Sequence, residues 1–156
     1  MPILHFAELA DLNATADLGA RLSKRLRAGD IVALEGPLGA GKTTFARALI
    51  RFLGWSESEI PSPTFTLVQQ YDLADFTLWH FDLYRLENSE DVFELGIEEA
   101  FAEGVSLIEW PDRLGGYMPP DHLTVTLSFA DTDGARRVSI DGEAEWRERL
   151  SGLNHG

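Results

Sequence analysis

The sequence predicts an α/β fold, with a mixed sheet that has a parallel core, an antiparallel hairpin and antiparallel edge strands, and with helices on both faces. Three observations support this prediction. The apolar run 31–35 leads into a glycine-rich segment, which is followed by a helical pattern. The apolar runs 77–83 and 105–109 each contain a carboxylate at or near the end, and both are typical of buried strands. Segments 123–129 and 136–140 alternate apolar and polar residues, which predicts antiparallel strands at the edge of the sheet.

The glycine-rich segment, residues 36–44, fits the Walker A pattern G-x-x-x-x-G-K-[ST]. Glycine lets backbone N–H groups close around a polyphosphate, Lys42 would bring a positive charge to its β- and γ-phosphates, and the Thr43 hydroxyl would be placed for Mg²⁺. Apolar residues then recur at helical spacing until Gly54, and the start of that helix would direct its partial positive charge at the anion. The sequence therefore predicts a P-loop NTPase-like fold that binds a nucleotide. The loop residues expected to bind it are Gly36, Pro37, Leu38, Gly39, Ala40, Gly41, Lys42, Thr43 and Thr44.

The composition excludes several classes of protein. The chain has 156 residues and no internal repeat or linker, so residues 1–156 are predicted to form a single domain. No apolar run approaches the roughly 18 residues of a membrane span, and the N-terminus lacks the basic and apolar regions of a secretory signal. The absence of cysteine excludes disulfides and thiolate metal sites. We therefore expect a cytoplasmic protein that does not bind membranes.

The charge balance bears on the choice of partner. The formal net charge is −13, from 13 basic and 26 acidic residues. A protein that docks on nucleic acid needs a cationic surface to release counterions, so we expect no tight direct binding to nucleic acid. Two interpretations of the acidity stay open: either the large partner is a protein, or the charge only keeps the chain soluble.

A helix is predicted before the phosphate loop. Residues 13–27 carry an apolar stripe at helical spacing, with Asn13 or Thr15 as the expected N-cap. This helix would either cover the nucleotide base or serve only to pack against the sheet.

The segment 60–66 is a candidate switch. It contains two prolines and lies between the phosphate-loop helix and the next strand, where P-loop NTPases place the element that senses the γ-phosphate. Thr64 and Thr66 are therefore candidate contacts of Mg²⁺ or the γ-phosphate, and a simple loop is the alternative.

A hairpin follows the candidate switch. Segments 66–71 and 77–83 are typical of strands, and the break at 74–76 suits a tight connection. Asp82 ends the apolar part of the second strand, where a Walker B carboxylate would lie. His80 would share one face of the sheet with Asp82, and we interpret it as structural.

A second carboxylate, Glu109, closes the strand 105–109 and is followed by Trp110. In open α/β sheets ligands bind beyond the carboxyl ends of strands, so Asp82 and Glu109 are expected to converge on the phosphate loop and to handle Mg²⁺ and water. A surface glutamate at the end of a strand is the alternative.

The remaining elements are predicted to be scaffold. Short helices are expected after Ser89 and over 97–102, and a last helix over 143–150. The tail 151–156 is expected to be disordered.

Four motifs taken together resemble one family. They are GPLGAGKTTF at 36–45, SPTFTLV at 62–68, HFDLYRL at 80–86 and LIEWP at 107–111. In this order and spacing they are similar to the TsaE (formerly YjeE) family of bacterial P-loop ATPases, and the resemblance covers about residues 5–145.

The resemblance implies a role in installing threonylcarbamoyladenosine (t6A) at position 37 of tRNAs. It implies ATP and Mg²⁺ as cofactors, and a TsaD–TsaB transferase complex as the partner that ATP hydrolysis resets between turnovers. Carried over by motif, Lys42 and Thr43 bind phosphate and Mg²⁺, Asp82 and Glu109 occupy the acidic positions of the site, and Trp110 lies beside the nucleotide. Lys42, Asp82 and Glu109 are the expected catalytic residues, and Thr43, Asp82 and Glu109 the expected metal ligands.

Three other functions compete with an accessory ATPase. A small-molecule P-loop kinase would need an arginine-rich lid, and the stretch between Pro111 and Pro120 offers only Arg113. A GTPase would need a D-x-x-G motif closing a strand beside the switch and an N-K-x-D motif, and neither is present. A nucleotide-binding module without turnover stays open, because hydrolysis can depend on a partner.

Overall fold

The computed structural model describes residues 3–56 and 59–153. The strands are β1 Ile3–Leu9, β2 Ile31–Glu35, β3 Val68–Asp72, β4 Thr77–Asp82, β5 Val105–Glu109, β6 Leu123–Phe129 and β7 Arg136–Asp141. The α-helices are α1 Leu12–Ser23, α2 Lys42–Phe52, α3 Ile97–Glu103 and α4 Ala144–Arg149, and 3₁₀ helices span Ser89–Leu95 and Pro111–Tyr117. No helix within the described ranges is long and apolar enough to cross a membrane.

In the described part of the chain, seven strands form one mixed sheet in the order β1-β7-β6-β2-β5-β4-β3. The central strand β2 pairs in parallel with β5 on one side and with β6 on the other, and β4 extends the parallel core beyond β5. β3 closes one edge as an antiparallel hairpin with β4, and β7 and β1 add antiparallel pairs at the other edge. The predicted α/β fold with a parallel core and a hairpin is confirmed.

The predicted edge position is wrong for β6, and β7 is antiparallel as predicted but is not the outermost strand. β6 lies in the parallel core rather than at the edge, because its partner is β2. Its apolar–polar alternation arises because one face is fully buried and the other is half-buried. The outermost strand is β1, which the sequence analysis missed: Ile3 and Phe6 are more than half exposed, and the pairing partner β7 lies at the far end of the chain.

Helices cover both faces of the sheet, as predicted. α1, α2 and α4 share one apolar core with alternate residues of the parallel strands, and α3 and both 3₁₀ helices form a second core on the opposite face. Strand β4 shows the alternation, since Leu78 enters the first core whereas Trp79 and Phe81 enter the second.

Several element boundaries differ from the predictions by a few residues, and the helix predicted over 13–27 ends at Ser23. The Asp11 carboxylate caps α1 by accepting from the Ala14 N–H at 2.8 Å, so neither Asn13 nor Thr15 is the cap. β3 begins at Val68 because Leu67 has a left-handed backbone, with φ of 69°, which does not continue a strand.

The predicted disorder of the tail is wrong for residues 151–153. Leu153 is only 3% exposed and belongs to the core, and the Arg25 guanidinium donates to the Ser151 carbonyl at 2.7 Å. The prediction for 154–156 lies outside the described residues.

Candidate functional site

The phosphate loop connects the end of β2 to the start of α2. Gly36, Gly39 and Gly41 all have φ between 82° and 141°, a region that favours glycine. A Cβ atom on Gly36 would lie 2.1 Å from the carbonyl oxygen of Leu127 on β6, so no other residue fits there. Among residues 3–56 and 59–153, no side chain caps the start of α2, which leaves its first N–H groups available to an anion.

The Lys42 side chain crosses the loop and is 5% exposed. Its Nζ atom donates to the Gly36 carbonyl at 2.7 Å and lies 3.5 Å from the centroid of the Trp110 ring. Burial lowers the pKa of Lys42 below its usual value, although the nearby carboxylates of Glu109, Asp82 and Asp112 act in the opposite direction. The positive charge is therefore held in a shielded position next to three carboxylates.

Asp82 and Glu109 end adjacent parallel strands in direct register. They are 5% and 3% exposed, so neither is a surface carboxylate. One oxygen of Asp82 accepts from the Thr64 hydroxyl at 3.2 Å, and the other accepts from the backbone N–H of Tyr84 at 3.1 Å. The candidate switch therefore contacts Asp82 directly.

Glu109 contacts a residue that the sequence analysis interpreted as structural. The Nε2 atom of His80 lies 2.7 Å from Oε2 of Glu109, and both side chains are almost completely buried. The sequence placed His80 on the same face as Asp82, but it contained no signal for a contact between neighbouring strands.

Lys42, Asp82 and Glu109 line one cavity of about 260 Å³. Its lining residues are Leu12, Leu38, Gly39, Gly41, Lys42, Thr43, Thr44, Thr64, Asp82, Glu109, Trp110 and Arg136. Of the predicted binding residues, Gly36 and Pro37 instead line an adjoining cavity, and Ala40 is fully buried. Thr66 does not line the cavity, and its hydroxyl accepts from the Gln69 amide. The other predicted residues are brought together.

Leu12 and Arg136 were missed by the sequence analysis. Arg136 begins β7, and its guanidinium donates to the carbonyls of Gly39 at 3.0 Å and Ala40 at 3.1 Å. It also lies over the Phe129 ring, with 4.8 Å to the centroid. The two hydrogen bonds to the loop join residues nearly 100 positions apart, and only the order of the strands brings them together.

The oxygen donors in the cavity fit Mg²⁺ bound together with phosphates. The Thr43 hydroxyl and the carboxylates of Asp82 and Glu109 are hard oxygen ligands, whereas the described ranges hold no cluster of three or more His, Cys, Asp or Glu suited to a metal. Mg²⁺ is usually held by one or two carboxylates plus substrate phosphates rather than by an all-protein cage. The donor set is therefore suited to a metal that arrives with a nucleotide.

A larger groove of about 760 Å³ lies beside the cavity, between α1, α2 and residues 59–61. It shares only Thr44 with the cavity and contains neither Lys42 nor the strand-end carboxylates. The smaller cavity holds the charged groups that phosphate chemistry needs, so we take it as the candidate site.

Comparison with known proteins adds independent information. The family model described as "Threonylcarbamoyl adenosine biosynthesis protein TsaE" matches residues 9–138. Three curated relatives carry the name tRNA threonylcarbamoyladenosine biosynthesis protein TsaE. The protein from Rickettsia conorii is 41% identical over 76% of this chain and 68% of its own length. Those from Nostoc sp. (41% identical over 85% and 82%) and Treponema pallidum (40% over 81% and 92%) are similar to a comparable degree.

A solved structure has the same fold. The crystal structure of Bacillus subtilus YdiB superposes with a TM-score of 0.77, covering 99% of this chain and 97% of that one. The sequence identity is 24%, so this likeness concerns the fold alone.

Proposed function

Because the chain belongs to the TsaE family of threonylcarbamoyl adenosine biosynthesis proteins, we propose that it is a Mg²⁺-dependent ATPase that assists the t6A modification of tRNA. The observation that carries the proposal is one cavity in which a Walker A lysine meets two buried strand-end carboxylates, Asp82 and Glu109. The loop supplies N–H groups and a cation for a polyphosphate, and the carboxylates supply oxygen atoms for a metal and a water molecule.

In this proposal the residues of the chain divide the work of hydrolysis. The loop N–H groups and Lys42 bind the β- and γ-phosphates. Thr43, Asp82 and Glu109 would hold Mg²⁺, which would supply further positive charge to the phosphates. Glu109 orients a water molecule and accepts its proton as the water oxygen bonds to the γ-phosphorus. The bond from that phosphorus to the bridging oxygen breaks, which releases ADP and phosphate.

We further propose that the ATPase acts on a TsaD–TsaB complex in the cytoplasm rather than on tRNA directly. A chain with a net charge of −13 is a poor ligand for a phosphate backbone. Phe65, in the candidate switch, is 81% exposed, next to the Thr64 that contacts Asp82. A γ-phosphate that contacts the candidate switch can therefore change the position of Phe65 on the surface that a partner would contact. ATP would then favour docking, provided that it binds the docked form more tightly than the free form.

Reconstituted t6A synthesis tests the proposal. With TsaD, TsaB, ATP and excess tRNA, multiple-turnover modification should require this chain, and the complex should stimulate its ATP hydrolysis. Glu109→Gln should bind ATP but support neither reaction, whereas Glu148→Gln, an exposed change on α4, should behave as wild type. Unchanged modification without the chain, or tight tRNA binding by the chain alone, would contradict the proposal.

A further inference from the structure

His80 and Glu109 form a buried pair across two parallel strands. In the register of β4 with β5, His80 lies opposite Leu107 and Asp82 lies opposite Glu109. His80 and Glu109 are thus diagonal neighbours on one face of the sheet, the face that leads to the phosphate loop. Their side chains are 0% and 4% exposed, and Nε2 lies 2.7 Å from Oε2.

Packing alone does not explain a histidine at this position. The neighbouring core residues Leu78, Phe81 and Leu107 are apolar and completely buried. The Nδ1 atom of His80 is buried and has no hydrogen-bond partner among residues 3–56 and 59–153, and such an atom disfavours folding. An apolar residue would fill the space without that penalty. Of the two ring nitrogen atoms of His80, only Nε2 has a hydrogen-bond partner among the described residues, and that partner is Glu109.

The hydrogen bond with His80 occupies one of the two carboxylate oxygens of Glu109. A carboxylate oxygen only accepts hydrogen bonds, so the Nε2–H group of His80 donates the hydrogen bond to Oε2 of Glu109. This bond holds one edge of the Glu109 carboxylate toward β4. Glu109 also lines the cavity that contains Lys42 and Thr43. With Oε2 engaged by His80, Oε1 is the oxygen that remains for groups in the cavity.

We propose that His80 is the positioning residue of Glu109, and that it holds the carboxylate in the orientation required for hydrolysis without contacting the nucleotide. This inference rests on the proposed function, since it matters only if Glu109 takes part in hydrolysis. It makes His80 necessary for turnover and dispensable for ATP binding.

Three substitutions of His80 and one control substitution of Trp79 test the role of His80. His80→Gln keeps an N–H donor that can reach Oε2, whereas the shorter His80→Asn keeps polarity but cannot span the distance. His80→Leu removes the donor altogether. Trp79→Phe is the matched control, because Trp79 is a buried neighbour on the same strand whose side chain enters the opposite core. For each variant, calorimetry measures the Kd for ATP, steady-state assays with the partner complex measure kcat and KM, and urea unfolding measures stability.

We expect kcat to fall about 10–100-fold in His80→Leu and His80→Asn, as for other residues that orient a ligand side chain. The Kd for ATP should stay within about 3-fold of wild type, because the phosphate loop is unchanged. His80→Gln should restore most of kcat, and Trp79→Phe should lose stability but keep kcat. A purely structural role of His80 would lower stability in the three His80 variants and leave kcat of the folded protein unchanged.

Glu109→Gln separates the failure of this inference from the failure of the proposed function. If Glu109→Gln retains wild-type turnover, Glu109 is not catalytic and both proposals are wrong. If Glu109→Gln loses turnover while His80→Asn keeps it, only the role of His80 is wrong. If His80→Leu does not fold, the comparison of His80→Gln with His80→Asn still decides, since equal kcat values in these two would overturn the inference.

Discussion

The Lys42 ammonium nitrogen lies 3.5 Å from the centroid of the Trp110 ring. Trp110 holds this position with a left-handed backbone, with φ of 60°, a conformation that is unfavourable for a bulky residue. Its indole thus covers a cation that also donates to the Gly36 carbonyl. The two contacts hold the buried ammonium group of Lys42 within the phosphate loop.

Substitution of Lys42 should strongly weaken nucleotide binding without unfolding the protein. Lys42→Met keeps the length of the side chain but removes the charge, and we expect ATP binding to weaken by about 2–5 kcal/mol. The rise in melting temperature that Mg-ATP causes should disappear. Lys24→Met is the matched control, since Lys24 is exposed at the end of α1 and lies outside the cavity. An undiminished thermal shift in Lys42→Met would contradict the assignment.

The stability of the protein should depend on the charge of Lys42 at alkaline pH. Burial lowers the pKa of Lys42 in the folded state, so between that pKa and the ordinary pKa of lysine the unfolded chain binds more protons than the native one. The free energy of unfolding therefore rises with pH across this window. Urea unfolding of wild type and Lys42→Met should show wild type gaining relative to the variant as pH rises. A constant difference would argue against the shift.

Arg136 should contribute to nucleotide binding through the shape of the loop. Its guanidinium donates to the carbonyls of Gly39 and Ala40, so Arg136→Ala should loosen the loop and weaken ATP binding by about 1–3 kcal/mol. Arg137→Ala is the matched control, because that residue forms an exposed ion pair with Asp131 at 3.2 Å, a kind of contact worth under about 1 kcal/mol. Calorimetric titration with ATP compares them, and equal affinities would exclude a role for Arg136.

A methyl group at Gly36 should be far more damaging than one at another glycine with positive φ. Gly36→Ala places Cβ 2.1 Å from the Leu127 carbonyl oxygen, whereas at Gly134, with φ of 81°, no atom of the described residues lies within 4 Å of the added Cβ. Gly134→Ala should lose about 1–2 kcal/mol of stability from backbone strain alone. Gly36→Ala should lose more than this together with ATP binding, measured by urea unfolding and calorimetry. Equal losses in the two variants would show that the contact with β6 is unimportant.

The parts of the site that could be predicted from the sequence depend on local geometry. The phosphate loop, the strand before it and the helix after it are contiguous, so glycine spacing, an apolar run and helical periodicity identify all three. Asp82 and Glu109 could also be placed, because each follows an apolar strand and parallel strands end at one edge of a sheet.

The rest was decided by the tertiary structure, because it depends on which distant strands pair. The same alternation in β6 is compatible with an edge or a core position, and only its pairing with β2 decides between them. That pairing also puts the Leu127 carbonyl against Gly36, and the next strand, β7, brings Arg136 to the loop. The contact of His80 with Glu109 depends on the register of β4 with β5, which no local pattern in either strand specifies.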